Sequence, residues 1–266
     1  MADIDTAGDE LELLEQSLRK TMAAATGGEL DRALTDLGWH EMLTDIPDIA
    51  IPLMFRLLGE TGSHAPLLND VIAQAAGLPL GGTIALPFAG GAWVVWERDD
   101  RPGDTVDDEL PLHVAPAGTE IPLAAARRAL AWWLVGSSRA MLALARRHAV
   151  DRTQFGRPIA SFQAVRHRLA ETLVAIEGAE ATLGVADDEL GALLAKASAG
   201  QAARTAARHC QQVLGGVGFT AEHDLHRHIR RTLMLDGLLG STTELTRAAG
   251  AHIRTVGHAP RLAQLH

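Results

Sequence analysis

Apolar residues in the first part of the chain recur at helical spacing. Leu11, Leu13, Leu14 and Leu18 form one set and Leu34, Leu37, Trp39, Met42 and Leu43 another, among helix formers from Glu10 to about Gly77. The pattern predicts several short helices, punctuated by Pro47, Pro52, Gly59, Gly62 and Pro66 and closed by Gly77, Pro79, Gly81 and Gly82. The pattern then changes. Thr83-Ile-Ala-Leu-Pro87 and Ala92-Trp-Val-Val-Trp-Glu97 read as short strands, and an acidic, turn-rich run follows from Arg98 to Asp104. So few strand residues do not make a substantial independent sheet. Beyond Pro122 helical periodicity returns over 123–150, 160–183, 187–214, 223–235 and 242–256, with Gly- or Asp-containing turns between. Long helices joined by short connections predict a bundle. The expectation is a mainly α chain: an N-terminal helical domain over 1–82, a reduced β region over 83–120 and a C-terminal helical bundle domain over 121–266.

Composition narrows the possible functions. With 47% hydrophobic and 21% charged residues in 266, the chain can bury a sizeable core. Asp and Glu outnumber Lys and Arg by 33 to 24, a net charge of −9, which argues against a nucleic-acid partner. Cys210 is the one cysteine, so neither an intrachain disulfide nor a CxxC metal or redox pair is available. The acidic start, with Asp3, Asp5, Asp9, Glu10, Glu12 and Glu15, lacks the basic and apolar regions of a signal peptide, and the expectation is a cytoplasmic protein. Arg127, Arg128, Ser137, Ser138 and Arg139 interrupt the longest apolar stretch, which reads as a buried helix and not a membrane span.

Two segments are unusual for a plain bundle. One is Asp151-Arg-Thr-Gln-Phe-Gly-Arg-Pro-Ile159 with Ser161-Phe-Gln163; the other is Gln211-Gln-Val-Leu-Gly-Gly-Val-Gly-Phe219. Taken locally, each is equally well an interhelical turn with a glycine cap or a place where backbone approaches an anionic ligand. With Gly240-Ser-Thr-Thr-Glu-Leu245 and Arg247, however, their order and spacing resemble the C-terminal helical domain of the flavin-dependent acyl-CoA dehydrogenase family, from about 124 to 253. Leu37-Gly-Trp39 resembles a shortened version of that family's N-terminal domain.

The resemblance implies FAD bound across a subunit interface, one chain holding the isoalloxazine and its neighbour the pyrophosphate and adenosine. By motif match, Arg152 is the cation at the pyrophosphate, Phe155 packs on the cofactor, Gln163 and Gln212 supply amides, and Gly215 and Gly216 let the backbone come close. Arg127 matches an arginine often found by the acyl-CoA pocket, while Arg128, Arg139, Arg146 and Arg147 read as solvated helix faces. The family's α,β-dehydrogenation of an acyl-CoA thioester needs a glutamate base to take the α-proton. Its usual place falls here on Leu239 or Gly240 and its alternative place on Ala126, and none of these can take a proton. Asp236 and Glu244 are the nearest substitutes. Ile84–Gly91 is a remnant of one flavin-contacting loop, and the second has no counterpart.

This pattern resembles the small, degenerate subunit of a heteromeric acyl-CoA dehydrogenase of the α2β2, steroid side-chain type. It implies FAD shared with a catalytic partner that binds most of the acyl-CoA, with no catalytic residue and no metal in this chain. The competing expectations are a self-sufficient homo-oligomer with a relocated base and a cofactor-free scaffold. A glutamate placed at 239, 240 or 126 is expected to leave the fold intact.

Overall fold

The computed structural model describes residues 2–258 apart from Asp100 and Asp104, and of residues 2–7 the backbone alone. Asp100 and Asp104 of the acidic run, the side chains of Asp3 and Asp5, and positions 259–266 at the end of the expected bundle domain lie outside the described residues. Five helices come first: α1 (Ala2–Ala24), α2 (Gly27–Asp36), α3 (Trp39–Asp45), α4 (Pro47–Thr61) and α5 (Leu68–Ala75). Pro47 starts α4 at its first turn, where a missing N–H costs nothing. Contrary to the sequence reading, Pro52 and Gly59 do not break the chain there but lie inside α4.

Three strands follow, β1 (Ala85–Phe88), β2 (Ala92–Trp96) and β3 (Leu112–Val114), antiparallel in the order β1-β2-β3. The third strand escapes the sequence pattern because its three residues follow a proline and lie beyond the acidic loop. Leu86, Val94, Trp96 and Leu112 turn inward and belong to the main hydrophobic cluster, so the sheet is stabilised by packing on the helices.

The remaining helices are α6 (Ala124–Asp151), α7 (Gln163–Leu183), α8 (Glu189–Leu214), α9 (Leu225–Gly237) and α10 (Thr242–Val256), with a two-stranded hairpin, β4 (Thr153–Gln154) and β5 (Arg157–Pro158), between α6 and α7. Helix α6 is central: α4, α7, α8 and α9 all pack on it. Alternating small residues make this possible. A Cβ on Gly59 would overlap the backbone of Trp133 and Ser137, and one on Gly136 the backbone of Arg56, so α4 and α6 cross backbone to backbone. Asp188 caps α8 through the Gly191 N–H at 2.6 Å, and Ser241 with Glu244 forms a reciprocal cap on α10.

One cluster runs through all three stretches, from Leu18 and Leu34 to Leu235 and Leu239. Trp39 on α3, Phe55 on α4, Trp133 on α6 and Trp96 on β2 form a chain of ring contacts, with centroids 6.4, 5.7 and 5.6 Å apart. Two polar clasps hold the β region against the helices. Arg98 pairs with Asp31 and Asp70, which also accepts from Trp39 Nε1, while Arg231 pairs with Asp107 and Glu109. Among the described residues no helix is long and apolar enough to cross a membrane, and no His, Cys, Asp and Glu group could hold a metal ion. Cys210 is buried, and burial pushes its thiol up to about 12, far from a reactive thiolate.

Candidate functional site

The first motif forms the exposed end of the bundle. Helix α6 stops at Asp151, the Arg152 N–H donates to the His148 carbonyl, and the chain turns into the β4–β5 hairpin. Both residues of the hairpin turn have positive φ, 53° at Phe155 and 77° at Gly156. Such two-residue turns match the twist of the paired strands, and glycine suits them while phenylalanine does not. Phe155 is nevertheless 91% exposed and meets the chain through one edge-on ring contact, to Phe162 with centroids 6.1 Å apart, which does not account for its strained backbone. The hairpin is tied to the start of α7 by Ile159 N–H to Arg152 O at 2.8 Å and Arg166 Nε to Ala160 O at 2.8 Å, with the Arg157 guanidinium over the Phe162 ring. Among the described residues the Arg152 guanidinium has no hydrogen-bond or ion-pair partner.

Gln163 is the first residue of α7 and Gln212 lies in the last turn of α8; both are exposed. Gly215 has φ 63°, and a Cβ on Gly215 or Gly216 would meet open space. The fold therefore requires glycine at 215 for its backbone, whereas at 216 packing within the chain demands nothing. A groove of about 540 Å³ between α7 and α8 brings Gln212 beside Ala164, the neighbour of Gln163. Arg152 and Phe155 are not in its wall; they stand apart on the hairpin. Sequence reasoning missed Arg168, Arg208 and His209, which line the same groove. The available signal was spacing, since Arg208 precedes Gln212 by one helical turn.

The second region is the α9–α10 loop, where a base is expected to be missing. Leu239 and Ala126 are each 1% exposed and lie in the main core cluster. Leu239 has φ 56° and donates its N–H to Pro87 O at 2.8 Å, Phe88 bridges Leu238, and the Phe88 ring covers Gly237. The turn of the β1–β2 hairpin thus closes over the loop. Gly240 has φ 100°, and a Cβ there would press on Leu245. Glutamate at 239, 240 or 126 is therefore not fold-neutral: two positions are core and the third combines strain with a clash.

Both substitute carboxylates are committed to structure. Asp236 Oδ1 accepts from the Thr242 N–H at 3.1 Å and from the Thr242 hydroxyl. Glu244 accepts from the Gly90 N–H at 2.9 Å, the Ser241 N–H at 2.8 Å and the Ser241 hydroxyl at 2.7 Å. The Gly90 and Ser241 backbone donors hold its carboxyl down to about 2, so it is a poor proton acceptor near neutrality. Lys196 is buried beneath the loop and donates to Asp236 O at 2.9 Å and Gly240 O at 2.6 Å; burial lowers it to about 7. Arg127 is engaged within the chain. Its Nε donates to Leu239 O at 3.3 Å, it pairs with Glu189, and desolvation depresses its pKa. Two of the supposed solvated arginines are engaged as well: Arg128 donates to Ala186 O at 3.0 Å, and Arg139 pairs with Glu180 and Glu177 across to α7. Arg146 and Arg147 are exposed.

The family described as "Acyl-CoA dehydrogenase, C-terminal domain" matches residues 119–252. The acyl-CoA dehydrogenase FadE34 of Mycobacterium tuberculosis is 33% identical over 199 residues, 65% of this chain but 28% of its own length, so the chain spans under a third of that relative. Among solved structures, a chain of the Tcur3481-Tcur3483 steroid ACAD G363A variant superposes with a TM-score of 0.68 at 19% identity, covering 94% of this chain and 99% of that one. A chain of the ChsE4-ChsE5 complex from Mycobacterium tuberculosis gives 0.65 at 18% identity, covering 94% and 98%. At these identities the two structures speak for the fold.

Proposed function

The chain belongs to the acyl-CoA dehydrogenase family through its C-terminal domain, and on that premise we propose that it is the non-catalytic subunit of a heteromeric, FAD-dependent acyl-CoA dehydrogenase. Its partner is a catalytic subunit, in an α2β2 assembly in the cytoplasm, and the substrate is a bulky acyl-CoA thioester of the steroid side-chain kind. One observation carries the reading: where the family's base stands, this chain has Leu239 and Ala126 packed into its core, and Asp236 and Glu244 are held by the α10 cap. The two-protein complexes among the structural neighbours, one of them a steroid ACAD, favour the same partner and substrate class.

The residues present fit one end of FAD. At the exposed end of the bundle an unpaired Arg152, an outward Phe155 and open space above Gly215 and Gly216 suit a pyrophosphate and its adenosine. Gln163 and Gln212 supply amides on the two adjoining helices. The other end does not fit: the β1–β2 hairpin lies on the α9–α10 loop, and its three-stranded sheet packs on the chain's own core. When bound, FAD supplies the hydride acceptor for the partner's reaction. In that assembly Arg152 fixes the phosphates by charge, Phe155 excludes water from them, and the buried loop keeps this chain out of the proton transfer. A cofactor-free scaffold would have no use for an arginine without a partner beside a strained, solvent-facing phenylalanine.

Expression alone and with a catalytic partner tests the proposal. The isolated chain is expected to be colourless and inactive, and the pair to be yellow. In the pair, Arg152→Ala is expected to weaken FAD retention by about 1.5 to 3 kcal/mol, the range of a charge-assisted hydrogen bond, with subunit association preserved. Gln212→Ala should act in the same direction more weakly. A yellow, active isolated chain would refute the proposal.

A further inference from the structure

Two arginines converge on the groove between α7 and α8 without a carboxylate in hydrogen-bond reach. Arg168 comes from α7 and Arg208 from α8, and Gln212 lies one turn beyond Arg208 on the same wall. Arg208 has no hydrogen-bond or ion-pair partner among the described residues. The nearest acid to Arg168 is Glu171, at 3.8 Å and largely exposed, which is a weak pair.

Arg168 is held from beneath. Its Nη1 lies 3.1 Å from Nε2 of His209, a buried side chain whose Nδ1 lies 3.1 Å from the Thr172 hydroxyl. That hydroxyl donates to Arg168 O at 2.7 Å, so its oxygen accepts from His209 Nδ1–H, and Nε2 is left to accept from Arg168. Burial, together with the charges of Arg168 and Arg208, lowers the His209 pKa and keeps the ring in this neutral form. The chain thus holds one guanidinium on the wall of a groove that a second arginine also lines, and two like charges on one groove favour an anion within it. The floor, Val165 and Val213, is apolar and would strengthen such a contact.

We propose that Arg168 and Arg208 form a second phosphate contact for the dinucleotide whose adenosine end this chain accepts, continuous with Gln163 and Gln212. The inference rests on the shared-FAD reading and extends the site beyond its sequence motifs. His209 acts on it as a positioning residue through Arg168.

Thermal unfolding of the full chain titrated with ADP, and separately with inorganic pyrophosphate, tests this, since a ligand of the folded state raises Tm with concentration. The rise for Arg168→Gln and for Arg208→Gln is measured from each variant's own nucleotide-free Tm. Each should then need about tenfold more ADP for the same rise, the loss expected for one charge-assisted contact. Arg152→Ala should weaken ADP similarly, and Arg147→Gln, an exposed arginine outside the groove, should not. ADP stabilisation lost in Arg152→Ala but unchanged in the two groove variants would overturn the inference while leaving the shared site standing. A loss in the groove variants with none in Arg152→Ala would overturn its assignment to the shared dinucleotide, as would an equal loss in Arg147→Gln. Stabilisation by pyrophosphate with none by ADP would overturn the nucleotide assignment.

Discussion

Leu239 sits in left-handed backbone, φ 56°, at a cost of about 1 to 2 kcal/mol for a residue with a branched side chain. It shares this with Phe155, and among the described residues these are the two non-glycine positions with positive φ. One is the expected cofactor contact and the other a position at which a base was expected to be missing. Because Leu239 and Ala126 are core, Leu239→Glu and Ala126→Glu should each destabilise by about 3 kcal/mol or more through an unpaired buried carboxylate. Urea unfolding reads this, and a parental midpoint for either variant would contradict the packing described. A second prediction concerns His228, which is buried beside Gly62 with Nδ1 lacking a hydrogen-bond partner among the described residues. Burial, with Arg231 and Arg227 nearby, lowers it to about 4 from 6.5, so the unfolded chain binds more protons between those values. Its contribution is complete above pH 6.5 and is lost as pH falls toward 4, about 3 kcal/mol in all. His228→Gln should flatten that fall relative to the parent chain, and parallel pH profiles would contradict it. Residue types at the motifs were legible in the sequence, but their commitments were not. Asp236 and Glu244 read as spare carboxylates until the Thr242, Ser241 and Gly90 donors are seen, and Gly90 is far away in the chain.

Helix crossing sets the next scale. Gly136 and Gly59 allow α4 to touch α6, so Gly136→Ala should destabilise by about 1 to 3 kcal/mol through overpacking, although alanine is the better helix former. Gly178, in α7 with open space where a Cβ would stand, is the control: Gly178→Ala should stabilise by about 0.5 to 1 kcal/mol. Opposite signs in denaturant unfolding support the crossing, and stabilisation at both sites would contradict it. The long bundle helices were legible because their apolar periodicity and glycine turns agree. Pro52 and Gly59 were misread as breaks: α4 runs through Pro52, an interior position where the N–H to Asp48 O is lost, because its apolar face is buried on both sides of it, and its glycine serves a neighbour the local pattern does not show. Strand β3 was invisible for a similar reason, since pairing with β2 defines it and three residues are too few to carry a pattern of their own.

At the scale of the whole molecule, aromatic contacts from Trp39 to Trp96 and the Arg98 and Arg231 clasps join the N-terminal helices, the sheet and the bundle. The β region is thereby folded onto the chain's own core, and the hairpin with Phe155 and the α7–α8 groove remain as the surfaces proposed to meet a partner's cofactor. On the proposed reading this chain completes a partner's FAD site and holds none of its own. The direct measurement is the FAD content of the purified assembly, by released-flavin absorbance against subunit masses. One FAD per pair of unlike chains is expected, falling when Arg152 is replaced by alanine. Two FAD per pair, or one on the isolated chain, would contradict it.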